Sequence, residues 1–86
     1  MEYYVYIIYN EVHDKYYIGQ TYSLEKRITE HNLGLSKYTS KYIGGWKMIY
    51  SEKFQTREDA MKRERFLKKQ KSKNFYRKLA NQFMGN

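Results

Sequence analysis

The chain has no cysteine and no proline in its 86 residues, and it sets only nine acidic side chains against 17 basic ones. Without cysteine there is neither a disulfide nor a thiolate zinc site, and the redox state of the compartment leaves no mark on the sequence. The two histidines, His13 and His31, are too few to make a zinc site alone. No proline-rich linker, repeat or low-complexity tract divides the chain. Long apolar runs are missing as well. The opening EYYVYIIY falls far short of the ~20 residues a bilayer span needs, and it lacks the basic lead-in and small-residue cleavage site of a signal peptide. These absences predict one cytoplasmic domain over residues 1–86, with no membrane span. A domain of this size buries only about 60–65% of the surface its unfolded chain exposes, so its core must be small.

What is abundant points to a polyanion. The formal charge of +8 favours DNA, RNA or an anionic membrane surface as partner. Eleven tyrosines, in an aromatic content of 19%, tilt the choice toward nucleic acid, where rings stack on bases. Composition alone leaves open that the tyrosines fill a β-sheet and that the basic charge serves solubility.

Residues 2–9, EYYVYIIY, are β-branched and aromatic enough for a strand, with Tyr4, Tyr6 and Ile8 on one face and Tyr3, Val5 and Ile7 on the other. After the polar connection 10–15, residues 16–20 read as its hairpin partner. Ser23 stands as N-cap of a helix over 24–33, and Gly34 is placed to stop it. Residues 35–45, rich in Lys and Tyr, show no period and read as a loop. Residues 46–54 form a third strand, and Thr56 caps a helix over 57–70 with Asp59 at the capping-box position. A last helix over 74–84 carries Phe75, Leu79 and Phe83 at spacing four. The order ββαβαα predicts an α+β fold, a mainly antiparallel three-stranded sheet flanked by helices.

Some polar residues fall where apolar ones belong. At 100° per residue, Glu64 shares an arc with Ala60 and Leu67. A buried carboxylate there needs a metal or a positive partner, and a neighbouring Lys or Arg, or a place at the rim, would serve as well. On the first helix Leu24, Ile28 and, if the last turn extends so far, Leu35 define the inward side; His31 lies about 20° from Leu24 on that wheel and Arg27 flanks it. His31 alone fits either a packed, hydrogen-bonded histidine or a catalytic one. Tyr6 and Tyr17 lie in neighbouring strands on faces that a suitable register would match. Gly19 shares Tyr17's face, where the missing side chain would let a ligand or backbone approach.

Tyr17-Ile18-Gly19 reads YIG, and Tyr4-Val5-Tyr6 stands where the GIY-YIG nuclease family has its first tripeptide. With Arg27, His31 and the later helical Glu64, the ordered set resembles that family over nearly the whole chain. HNLGLSKYTSK and EDAMKRERFLKK look like its small bacterial UvrC-like members. Tyr4 replaces the glycine of GIY, and Gln20 follows YIG where some relatives have lysine. The resemblance implies a nuclease with Tyr6, Tyr17, Arg27, His31 and Glu64 as catalytic residues. Glu64 would hold one Mg²⁺ or Mn²⁺, Tyr6 would position or deprotonate the attacking water, Tyr17 would orient water or phosphate, and His31 would hydrogen-bond a tyrosine or relay a proton. Arg27 would stabilise the phosphoryl oxygens. Asn74, in the region after the glutamate helix where relatives carry a polar residue, is a further candidate. Lys15, Lys37, Tyr38, Lys41 and Tyr42 are candidates for contact with a nucleic-acid backbone. The expected substrate is nicked, branched or flexible DNA in repair or recombination, with DNA favoured over RNA. A protein partner or homodimer would help select the target. The rival expectations are a non-catalytic nucleic-acid-binding module and an adaptor of the same fold.

Overall fold

The computed structural model describes residues 2–85. Its elements run β1 (Tyr3–Asn10), β2 (Lys15–Thr21), α1 (Leu24–Asn32), β3 (Trp46–Phe54), α2 (Arg57–Gln70) and α3 (Lys73–Phe83), in the predicted order. The three strands form one antiparallel sheet ordered β2-β1-β3, so β1 is central and β2 is an edge. A register shift between Ile7 and Ile8 leaves Ile49 as the extra residue on β3.

Helices cover both faces of β1, which explains why its sequence does not alternate apolar with polar. On one face Val5 and Ile7 join Ile18, Ala60, Leu67 and Tyr76 in an apolar core under α2 and α3. On the other, Tyr6 and Ile8 join Trp46, with Leu24 and Ile28 of α1 packed on them. Leu35 departs from the expected inward stripe of α1. Gly34 turns the chain at φ +76°, the helix ends before it, and Leu35 stays exposed. In α3 the buried positions are Tyr76 and Ala80, with Phe75 and Leu79 beside them and Phe83 half-exposed.

Thr56 and Ser72 cap α2 and α3 by accepting the N–H groups of Asp59 and Phe75. Ser23 occupies the N-cap position of α1, but its side chain caps nothing; Thr21 Oγ1 instead bonds the Ser23 backbone. The segment 33–45 is pinned down. Asn32 bonds both the N–H and the C=O of Trp46, the Trp46 indole donates to the Tyr42 carbonyl, and Asn10 donates to the Gly44 carbonyl.

Candidate active site

The register pairs Tyr6 with Gly19 and Ile8 with Tyr17. Tyr6 and Tyr17 are therefore diagonal neighbours on the α1 face, their ring centroids 6.4 Å apart. Gly19 lies beneath them, and the physical reason for it differs from the expected one. A Cβ there would fall 2.6 Å from Tyr6 Oη and 3.0 Å from a Tyr17 ring carbon. The space left by the missing side chain is filled by the two tyrosines rather than held open for a ligand. Tyr4, in place of the family glycine, lies in regular extended pairing with Thr21 and Lys53. It is not among the positive-φ residues, so its backbone makes no demand for glycine.

His31 is fully buried and ties the site together: Nε2 is 2.8 Å from Tyr6 Oη and Nδ1 is 2.7 Å from Thr39 Oγ1. Burial, with the Arg27 charge adding to it, holds the imidazole down to about 4, while Glu30 pulls the other way. It is neutral at pH 7. Burial also pushes the Tyr6 phenol far above its ordinary range; Arg27 opposes that shift, and Tyr17 and Glu64 add to it. Arg27 itself donates to Glu30 at 2.9 Å and to Ser36 Oγ at 3.4 Å. The Tyr17 ring lies 4.9 Å from the imidazole and is stacked at 24° by the exposed ring of Tyr38.

Glu64 reaches the same region from α2, on the other side of the edge strand. Its Oε1 accepts from Gln20 Nε2 at 3.0 Å and its Oε2 lies 2.9 Å from Lys68 Nζ. The cationic partner left open by the helical wheel is thus Lys68, one turn along. Among the described residues, no group of three His, Asp or Glu side chains is placed to hold a metal. A cleft of about 560 Å³ opens beside the site and shares Gln20 and Arg27 with it.

The structure does not bring every candidate together. Asn74 is exposed on the first turn of α3, where its Oδ1 accepts from Arg77, and no contact joins it to the site. Lys15 begins β2, exposed, on Tyr17's face. Lys37 and Lys41 are exposed on the loop, Lys37 lying 6.0 Å from the Tyr38 ring centroid. Tyr42 is half-buried between His13 and Trp46, a packing role. Sequence reasoning missed Thr39, Ser36, Glu30, Gln20 and Lys68. Of these only Lys68, at i+4 from Glu64, and Glu30, at i+3 from Arg27, were within reach of helical spacing.

A small α+β domain in the order ββαβαα, its three strands in one antiparallel sheet, is the frame of the GIY-YIG nucleases. The model of the GIY-YIG catalytic domain matches residues 2–79, and the chain belongs to that family. Its relatives narrow the grouping. A UPF0213 protein of Listeria welshimeri is 39% identical over 61 residues, 71% of this chain and 68% of that one. A UPF0213 protein of Clostridium perfringens is 40% identical over 53 residues, 62% of this chain but only 57% of the relative's length. The solution NMR structure of a UPF0213 protein from Bacillus halodurans matches with a TM-score of 0.54 at 29% identity, covering 94% of this chain and 84% of that one. The UPF0213 name specifies no substrate. No described helix is long and apolar enough to cross a membrane.

Proposed function

We propose that the chain is a divalent-metal-dependent endonuclease that hydrolyses phosphodiester bonds in nicked or branched DNA. The observation that carries this reading is the buried chain Tyr6, His31, Thr39, set beside Arg27 and Tyr17. A buried neutral imidazole needs a partner at each nitrogen; what supports the reading is which partners these are, a phenol and a hydroxyl joined in one chain beside a guanidinium.

At neutral pH Tyr6 keeps its proton and His31 is uncharged. With Nδ1–H donated to Thr39 Oγ1, Nε2 accepts from Tyr6. As the water oxygen attacks phosphorus, its proton passes to Tyr6 Oη while the Tyr6 proton passes to Nε2. The bond from phosphorus to the leaving oxygen breaks, and the electron pair leaves with that oxygen. The imidazole, held down to about 4 in the free protein, takes the Tyr6 proton only with the anionic phosphate bound beside it, whose charge stabilises the imidazolium. Arg27 holds the phosphoryl oxygens with its guanidinium fork, and Tyr17 orients the phosphate.

Glu64 fits a hard cation, for its carboxylate already carries a cation on Oε2 in the Lys68 ammonium, whose side chain is 53% exposed and free to swing into solvent. When bound, Mg²⁺ or Mn²⁺ supplies charge neutralisation and Lewis acidity at a phosphoryl oxygen.

One observation favours a second reading, a binding module without catalysis: both Glu64 oxygens are satisfied by Gln20 and Lys68. Glu64→Gln separates the two. Labelled nicked, flap and four-way-junction DNA and single-stranded RNA are incubated with each protein in Mg²⁺, Mn²⁺ or chelator. Cleavage that needs metal and drops by roughly 1000-fold or more in the variant, about 4 kcal/mol of barrier, supports the nuclease. Salt-sensitive binding without cleavage by either protein moves the conclusion to the binding module.

A further inference from the structure

The net charge of this chain is not spread over it. Residues 62–78 hold nine of the 17 basic side chains and one of the nine acidic ones, a net +8; the remaining eight basic and eight acidic residues cancel. The whole excess sits on the second half of α2, the elbow that follows, and the first half of α3. We infer that this face is the main docking surface for the nucleic-acid backbone, an inference that rests on the proposed function and adds to it where the substrate lies.

Four members of the group are committed to carboxylates: Lys62 to Glu58, Arg63 to Glu52, Lys68 to Glu64 and Lys73 to Asp14. Among the described residues Arg65, Lys69, Lys71, Arg77 and Lys78 pair with none, and all five are exposed. Lys69 and Lys71 gain a little from the C-terminal end of the α2 dipole, but the crowding itself is repulsive. Arg65 and Lys69 stand at i,i+4, a like-charge spacing that opposes the helix they occupy. The first turn of α3 carries no acid, so nothing on it offsets the basic side chains at the elbow. Such uncompensated repulsion fits a surface meant to meet a polyanion.

The surface is continuous with the candidate site. Around α2, Lys68, Arg65 and Lys69 follow Glu64 within about 140°, and Lys71 lies about 10 Å further along the axis. A strand whose phosphate sits at Glu64 therefore has its neighbouring phosphates over this face. By contrast the loop 33–45 offers two lysines, Lys37 and Lys41. It contributes beside the site, not the bulk of the attraction.

The test measures equilibrium binding of a fluorescent nicked duplex, in chelator so that nothing is cut, over a range of salt concentrations. The unaltered chain is compared with a variant carrying Arg65→Gln, Lys69→Gln, Lys71→Asn and Lys78→Gln, and with one carrying Lys37→Gln and Lys41→Gln. Each lost phosphate contact lowers the slope of log K against log salt by about 0.9. The four-substitution variant is expected to lose about 3.6 in slope and the loop variant less than about 1.8. Arg65→Gln or Lys78→Gln alone should each remove about 1, a check that stands even if the combined variant melts early. An unchanged slope in the patch variants, with a loss in the loop variant, overturns this inference and leaves the nucleic-acid reading intact. Salt-independent or absent binding by the unaltered chain overturns that reading and the inference with it.

Discussion

The two faces of β1 do different things with the same strand. Toward α2 and α3, Val5 and Ile7 sit in a core of apolar side chains rimmed by Tyr3, Tyr16 and Tyr50, and its one buried phenol, Tyr76, donates its hydroxyl to the Leu67 carbonyl. Toward α1, Ile8 packs with Trp46 while Tyr6 bonds His31 and His31 bonds Thr39, a buried polar network in which no described side-chain atom is left without a partner. One residue of alternation separates the two. The first face converts burial into stability; the second gives up some apolar contact to hold a phenol and an imidazole in one geometry. Fully paired polar networks of that kind specify a single arrangement, whereas a half-paired one would be worse than none.

If that division holds, activity and stability should come apart by face. Glu64→Gln, beyond the rim of the polar face, carries the largest expected effect, the roughly 1000-fold or greater loss of cleavage, with melting almost unmoved because Gln keeps a partner for Gln20. Leu67→Ala on the apolar face should do the opposite. Leu67 is fully buried, and its truncation costs about 3 kcal/mol, a large part of the roughly 4–13 kcal/mol expected for 86 residues. Denaturant melts would show it directly. Residual cleavage per folded molecule should stay within about threefold of the unaltered chain; a collapse to the level of Glu64→Gln would break the comparison.

Gly19→Ala sharpens it at the contact between two strands. Its Cβ would strike Tyr6 Oη and the ring carbon behind it, and Tyr6 cannot yield freely, being buried and bonded to His31. Overpacking there costs about 2 kcal/mol, and the displaced phenol should lower cleavage by more than the fraction unfolded accounts for. The readout is turnover corrected for folded protein. A loss in stability alone would mean that the Tyr6 position matters less than the relay requires.

Most of the fold was legible because local signals agreed. Thr56 with Asp59, the apolar strands and Gly34 each marked an element boundary that the structure keeps within a residue or two. The helical wheel also turned His31 toward the sheet, since Leu24 and Ile28 left no other inward side. The rest depended on contacts that no period encodes. Thr39 and Ser36 are buried because Gly34, Gly44 and Gly45 turn the loop through left-handed conformations and Asn32 and Asn10 pin it. A polar loop without periodicity gives no hint of that. Gln20 meets Glu64 across 44 positions, a pairing fixed only when α2 docks on β2. Leu35 belongs to the α1 stripe only if the last turn reaches it, and the chain has left the helix by then.

The smallest expected effect tests the polar face through its pH dependence. His31 is held down to about 4 in the folded chain by burial and by Arg27, with Glu30 opposing, against about 6.5 when unfolded. Between those values the unfolded chain binds a proton that the folded chain refuses, so stability is fully present above pH 6.5 and is lost as pH falls toward 4. Integrated over that interval, the loss is about 1.5–2 kcal/mol from pH 7 to pH 5. Carboxylates such as Asp14, which Lys73 and Tyr9 hold below the usual range, also weaken the fold in acid. The informative quantity is therefore the difference from His31→Asn, which retains those carboxylates and lacks the imidazole. Urea melts of both proteins at pH 7 and pH 5 should show the unaltered chain losing about 1.5–2 kcal/mol more than the variant. Equal losses would mean that the imidazole takes up its proton within the fold. His31 would then be charged beside Arg27 in weak acid, and the neutral acceptor on which the Tyr6 relay depends would not exist there.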